Sequence, residues 1–327
     1  MSQATTDNIP SPKESVSWSV SPFLAKWGVY VALALVIIIS AALSPAFYKF
    51  SNVLNILRAA AVLGIVSLGQ TLVILGGGID LSVGAVMGTV AIFISEFTGG
   101  VDTGVAWAIP ACLMIGVVVG WLNGMLVTKR NIPPFVCTLG MLIFVEGVRF
   151  AYTAGVISGR PAPFIRKLGS IIGFVPIPVV VMVVLSVLIW ILLKKTSFGR
   201  RLYATGGNRE AARYSGVNVD RISIYTYVLC GLCAAVAGLI LAGYIGYGDR
   251  YLGRGFDLDS IAAVVVGGTA FEGGRGGIGG TIAGVLLLTI LFNIVLILNL
   301  EVHYQLILKG LVIIGAVLAY STQRRFK

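Results

Sequence analysis

The residues of this chain that could do chemistry are few, and most lie inside apolar sequence. Asp80 follows three glycines, Gly76 to Gly78, and precedes Leu81-Ser82-Val83-Gly84. A carboxylate placed there can accept free amides of a starting helix. It can also face a wetted path, because leaving it in hydrocarbon costs about 2.5 to 3.5 kcal/mol. Glu146 and Arg149, three apart in an apolar run, share one helical face and neutralise each other as a structural ion pair turned toward the bundle. A proton relay would want an acid without a permanent cationic partner.

Other familiar patterns fail on context. Cys230 and Cys233 form a C-x-x-C, but inside an apolar stretch with no histidine or acid beside them, so they read as packing residues, as do Cys112 and Cys137. His303 is the single histidine and stands near the end of a span. No metal site, cofactor or histidine catalysis is expected. Gly274, Gly276 and Gly279 match G-x-G-x-x-G, yet no strand-turn-helix unit surrounds them, and they read as a tight turn between spans. No G-x-x-x-x-G-K-[ST] loop occurs, so the chain is not expected to hydrolyse ATP itself.

The elements that must position these residues are set by composition. Hydrophobic residues make up 57% of the 327 positions and charged residues only 11%, under half the share of a soluble domain. The apolar runs are long and do not alternate, which excludes an outer-membrane barrel and leaves a polytopic, all-α bundle with every backbone amide satisfied inside its own helix. About ten spans of about 20 residues fit. They fall at Trp27 to Phe47, Ala59 to Leu75, Leu81 to Phe97, Val105 to Val127, Phe135 to Ile157, Phe174 to Leu193, Ile222 to Ile245, Leu258 to Phe271, Ile278 to Leu298 and Tyr304 to Tyr320.

The net charge of +11 then orients the chain. Residues 1–26 form a polar tail, 27–320 the membrane domain and 321–327 a basic tail. Between the sixth and seventh spans, 194–221 carries Lys194, Lys195, Arg200, Arg201, Arg209, Arg213 and Arg221 against Glu210 and Asp220, which marks a cytoplasmic loop. Six spans before it and four after it put both termini on that same side, where Lys129 and Arg130 also fall. Arg160, Arg166 and Lys167 fall opposite. The cations are not interleaved with aromatics in the manner of a base-stacking surface, so no nucleic-acid role is expected.

Two stretches look alike, Leu72 to Gly88 and Ala263 to Gly284: each is an apolar run broken by glycines and an acid, followed by small residues four apart. Paired broken helices often frame a transporter's path, because unwound backbone is tolerated at membrane depth only beside protein or a wet cavity. Polar groups near such breaks, Gln70, Thr71, Asp80, Ser82 and Asn123, are the candidate lining residues. The stripes Gly84/Gly88, Gly116/Gly120/Gly124 and Gly280/Gly284 suit close helix packing. Within the basic loop, a short helix from near Asn208 to Gly216, with Ala211 and Ala212 on it, suits docking to a partner.

Three stretches carry a resemblance: Gly69-Gln70-Thr71 through Gly77-Gly78-Ile79-Asp80-Leu81-Ser82-Val83-Gly84, then Thr196 to Val219, then Gly267-Gly268-Thr269 through Gly284. In these the chain resembles the permease subunits of bacterial ATP-binding-cassette importers for monosaccharides, the ribose, xylose and galactose class. Glu210-Ala211-Ala212, with Gly216 four residues beyond Ala212, is similar to the importer motif that docks in a cleft of the ATPase; Gly207 and Asn208 lead into it. The family's hydrophobic-proline continuation is absent, with Ile224 and Tyr225 where it would fall. The resemblance implies a bacterial cytoplasmic membrane location, a paired permease chain, cytoplasmic ATP-binding subunits and a periplasmic sugar-binding protein. It further implies that Ala212→Glu uncouples the ATPase.

An ion-coupled secondary transporter is the main competing class, since broken helices serve it equally. A passive channel lacks a ring-forming filter. The stretch Thr196 to Val219 separates these readings, because a docking helix requires a partner ATPase and an ion-coupled carrier does not.

Overall fold

The computed structural model describes residues 22–153 and 159–324. Most of the polar tail expected over 1–26 and the last three residues of the basic tail lie outside the described residues, as does the end of the span expected to reach Ile157. Within them the chain is almost wholly helical. Its first part runs α1 (Pro22–Leu43), α2 (Phe50–Leu75), α3 (Val83–Thr98), a single 3-10 turn (Asp102–Gly104), α4 (Val105–Lys129) and α5 (Pro134–Thr153). A short helix α6 (Pro163–Leu168) and a two-residue antiparallel pair, β1 (Ile171–Ile172) with β2 (Val175–Pro176), lead into α7 (Ile177–Lys195). Then come α8 (Ser197–Gly207), α9 (Arg209–Tyr214), α10 (Val219–Ile245), α11 (Phe256–Val266), α12 (Ile278–Ile297) and α13 (Val302–Arg324).

Six of these helices are long and apolar enough to cross a membrane: α2, α4 with its preceding turn, α5, α7, α10 and α12. α10 is the centre, packed on α4, α2 and α3. Glycine makes that packing possible. A Cβ at Gly116 would strike the Gly231 carbonyl, one at Gly120 the Tyr227 carbonyl, and one at Gly124 would stand 2.8 Å from Ile224 Cα. The second stripe packs Gly84 and Gly88 on the Gly253 and Leu252 carbonyls, and the third packs Gly280 and Gly284 on those of Gly267 and Ala263. With no hydrophobic drive between helices inside lipid, close backbone approach supplies the van der Waals contact that holds them. The faces of α5 and α7 that carry Ile143, Phe144, Val183 and Leu188 are exposed, as a lipid-facing surface should be.

Several boundaries differ from the sequence expectation, α1 running Pro22–Leu43 and α13 reaching Arg324, and two of the shifts have clear local reasons. α2 starts at Phe50 rather than Ala59, because Arg58 is absorbed into the helix: its Nε and Nη2 donate to Gly169 O at 3.2 and 2.6 Å and its guanidinium lies 4.5 Å from the Tyr244 ring centre. α11 ends at Val266 rather than Phe271, where Gly267-Gly268 turns the chain.

Candidate functional site

α2 ends where glycine permits a left-handed residue. Gly77 has φ +78°, and the Gly77 and Gly78 amides donate back to Ile74 O and Val73 O, each at 2.9 Å. This is a Schellman-type cap, which satisfies carbonyls that the helix would otherwise leave orphaned. The chain then runs as non-helical backbone to α3, a stretch tolerable at depth only if its polar groups find partners.

They find them around Asp80. Its Oδ1 accepts from the Ser82 amide at 2.9 Å, from Ser82 Oγ at 2.6 Å and from Asn123 Nδ2 at 3.4 Å, while Asn123 Nδ2 also reaches Ser82 Oγ at 2.9 Å. The Gln70 amide, oriented with nitrogen toward the carbonyl, pairs with both backbone groups of Asp80 at 3.2 Å. Ile79 O accepts from Tyr227 Oη at 3.3 Å and Thr138 Oγ1 at 3.4 Å. Asp80 is therefore not the cap residue of α3. Ser82 holds that position, and the carboxylate grips the link two residues earlier, because the helix starts only at Val83.

Gln70, Asp80, Ser82 and Asn123 thus come together, all of them buried. Thr71 points elsewhere: its Oγ1 pairs with Thr281 Oγ1 at 2.8 Å and joins α2 to α12. Spacing alone could not have added Tyr227 and Thr138 to this cluster, since both arrive from helices remote in sequence.

α11 ends in the same geometry. Gly268 has φ +86°, its amide donates to Val265 O at 2.9 Å, and that of Thr269 donates to Val264 O at 3.1 Å. The link from Gly267 to Gly277 is held differently, by backbone contact. Ala270 N donates to Arg275 O at 2.8 Å, and a Cβ on Gly276 would stand 2.7 Å from Thr269 Cα.

The two links meet at the end of α8. Gly274 N donates to Leu75 O at 2.9 Å, and a Cβ on Gly206 would collide with that same Leu75 carbonyl. A Cβ on Gly273 would come within 2.8 Å of Gly77 N and 3.0 Å of Gly206 Cα. Tyr203, one turn earlier on α8, donates from its hydroxyl to Gly276 O at 3.0 Å. Burial raises its pKa above the ordinary phenol range, so it remains a donor. Sequence reasoning missed Tyr203, Gly206 and Gly273; the adjacent pair Gly206-Gly207 was the available signal.

Beyond this junction α8 and α9 carry the basic residues. Thr196 Oγ1 accepts from Gly199 N at 3.4 Å to start α8, and Asn208 Oδ1 accepts from Ala211 N at 2.9 Å to start α9. Gly216, with φ +79°, closes α9: its amide reaches Arg213 O and that of Val217 reaches Ala212 O, both at 3.0 Å. Gly207, Asn208, Glu210, Ala211 and Gly216 are exposed, and Tyr214 is 91% exposed. Ala212 is not: at 4% exposure it faces the protein, so Ala212→Glu would disturb the fold before it disturbed a partner. Asp220 receives Lys129 at 3.0 Å and Arg213 at 3.4 Å, which puts the α4–α5 turn on the same face as these helices.

Glu146 and Arg149 do pair, at 3.2 Å, and Arg254 completes the cluster on Glu146 at 3.2 Å. Arg149, 1% exposed, also donates to the Leu252 and Arg250 carbonyls at 3.3 and 3.2 Å and so fastens α5 to the segment that enters α11. Among the described residues no cluster of His, Cys, Asp and Glu could hold a metal ion, and the four cysteines are free and buried.

The molecule is thus a bundle of apolar helices whose glycine-broken links meet a basic helix pair at one end, the build of a multi-pass membrane protein. Residues 52–317 match the family described as the permease component of the branched-chain amino acid transport system, and the chain belongs to that family. It is 42% identical over 306 residues to the ribose import permease protein of Bacillus subtilis (strain 168), covering 90% of this chain and 92% of the relative. It is 35% identical over 316 residues to the ribose import permease protein of Haemophilus influenzae, covering 94% and 96%. It is 33% identical over 317 residues to the galactose/methyl galactoside import permease protein of Escherichia coli (strain K12), covering 90% and 94%. No solved structure matches significantly.

Proposed function

We propose that the chain is the membrane subunit of an ATP-binding-cassette importer for a monosaccharide, delivered by a periplasmic binding protein and driven by separate ATP-binding subunits. The family is named for amino acid transport, but the relatives reported above are permeases for ribose and for galactose, and they match over nearly their whole length. The sugar reading therefore carries more weight. On this reading the chain crosses the bacterial cytoplasmic membrane about ten times, with α1, α3, α11 and α13 added to the six long apolar helices. Both termini, α8 and α9 lie on the cytoplasmic side. Two permease chains pair to enclose the path.

The observation that carries the mechanism is the meeting of α8 with both broken links, through Gly206, Gly274 and Leu75. ATP-driven movement of a partner held on Gly207, Asn208, Glu210, Ala211 and Gly216 would press on the two links at once, with Ala212 as the inward anchor of α9. The matching helix ends at Gly77 and Gly268 support two related broken-helix segments. Gln70, Asp80, Ser82 and Asn123 hold the first link beside the path, and Thr71 ties α2 to α12, the helix that follows the second. A passing sugar would meet these groups only by exchanging its hydroxyls for their present partners.

The test is reconstitution in lipid discs with the ATPase and binding protein, wild type against Ala211→Glu. Wild type should show ATP hydrolysis stimulated by the sugar-loaded binding protein, and the variant should fold yet lose at least tenfold of that stimulation. Uptake that proceeds without any ATPase would instead establish an ion-coupled carrier.

A further inference from the structure

At the end of the bundle remote from α8, an open cleft of about 440 Å³ lies between α2, α6 and the end of α10. About 25 Å of helix separates Arg58 from Leu75 at 1.5 Å per residue, so the cleft sits near the opposite membrane interface. Its walls present Arg58, Arg166, Lys167, Ser170, Tyr244 and Gly246, with no carboxylate among the lining residues. Asp102, on the 3-10 turn, is engaged at the start of α6, where it accepts from the Phe164 amide at 2.8 Å. No salt bridge among the described residues involves Arg58, Arg166 or Lys167.

The walls are also rigid. Arg58 is fixed by two bonds to Gly169 O and by the Tyr244 ring, and Gly169 is pressed against the Gly243 and Tyr244 backbone so closely that it admits no side chain. Arg166 and Lys167 stand exposed beside them on the last turn of α6. Three cations gathered without a counter-charge would repel one another, and an anion between them removes that cost. Beside the cleft's Pro163 on α6, Phe164 is 45% exposed. Aromatic side chains of this kind settle at headgroup level.

We infer that this cleft binds the phosphate of an anionic phospholipid, with the cations on the headgroup and the exposed Phe164 ring beside them at headgroup level. Free phosphate shares the charge but would leave Phe164 unused. The chemistry suits a lipid that fastens α6 to α2 and α10 in the outer leaflet, and it is independent of which solute the bundle carries.

The experiment is native mass spectrometry of the full chain from discs of phosphatidylcholine with and without phosphatidylglycerol, comparing wild type with the double substitution Arg166→Gln, Lys167→Gln. Both positions are exposed, and an unchanged melting temperature in phosphatidylcholine alone verifies that the variant folds. Wild type should retain phosphatidylglycerol selectively. The variant should lose about 25-fold in retention, at about fivefold for each cation near a membrane surface. Equal retention by variant and wild type overturns the inference. So does displacement of the lipid by inorganic phosphate alone, which would make the cleft a simple anion site. Unaltered lipid retention with weakened capture of the binding protein would assign the cleft to that protein's acidic surface instead.

Discussion

The two links, from Gly76 to Ser82 and from Gly267 to Gly277, begin alike and then part. Both follow a helix that ends with a left-handed glycine and two amides folded back on the last turn. The first is then locked by side chains brought from α2, α4, α5 and α10 onto Asp80, Ser82 and Ile79, with Asp80 and Ser82 buried. The second lies close to its own neighbours through glycine backbone, takes the Tyr203 hydroxyl on Gly276 O, and exposes Phe271, Glu272 and Arg275. A side-chain lock defines one geometry, because every buried polar group must keep its partner. Glycine contact defines closeness but allows sliding. The stiff link and the compliant one share a boundary at α8, so movement of α8 should displace the second more than the first.

The sharpest way to break this comparison is Asp80→Leu, which strands the Ser82 amide and the Ser82 Oγ–H together and leaves Asn123 Nδ2 only its bond to Ser82 Oγ. Burying such donors without partners should cost about 3 kcal/mol. A large drop in melting temperature in detergent is expected, and an unchanged one would remove the stiffness assigned to the first link. Next comes Gly206→Val, which drives a side chain into Leu75 O and Gly274 N. Overpacking of about 2 kcal/mol should leave the chain able to bind its ATPase while solute-stimulated hydrolysis falls at least tenfold. Normal stimulation would mean that α8 does not act through this junction.

Tyr203→Phe removes one bond to Gly276 O, worth about 1 kcal/mol. Hydrogen exchange of the Gly267 to Gly277 segment should quicken while that of the first link stays as it was; equal quickening in both would erase the difference between them. The smallest effect is that of Thr71→Val, which deletes the pair with Thr281 at about 0.6 kcal/mol, typical of one such bond between membrane helices. A double substitution with Thr281→Val should cost little more than the single one, and an additive loss would show that the two hydroxyls act independently.

Much of the frame was legible in the sequence because it follows from local rules. Apolar runs had to become membrane helices, Gly116/Gly120/Gly124 had to face another backbone, and Asn208 with Gly216 had to start and stop a short helix. Glu146 and Arg149, three apart, paired as helical spacing dictates. What misled was also local. Arg58 made the start of α2 look like a loop, because its partners Gly169 and Tyr244 are distant in sequence. Ala212 looked like a contact residue for a partner, because composition does not reveal which side of a six-residue helix faces inward.

The sequence by itself therefore determined the class of molecule, its apolar all-α character and the glycines at which α2 and α11 stop, since chain solvation and glycine's freedom at positive φ act within a few residues. Only the tertiary structure decided which residues hold each break. It brought Asn123, Thr138 and Tyr227 to the first link and Gly206 and Tyr203 to the second, because partners for unwound backbone come from whichever helices the bundle packs beside it.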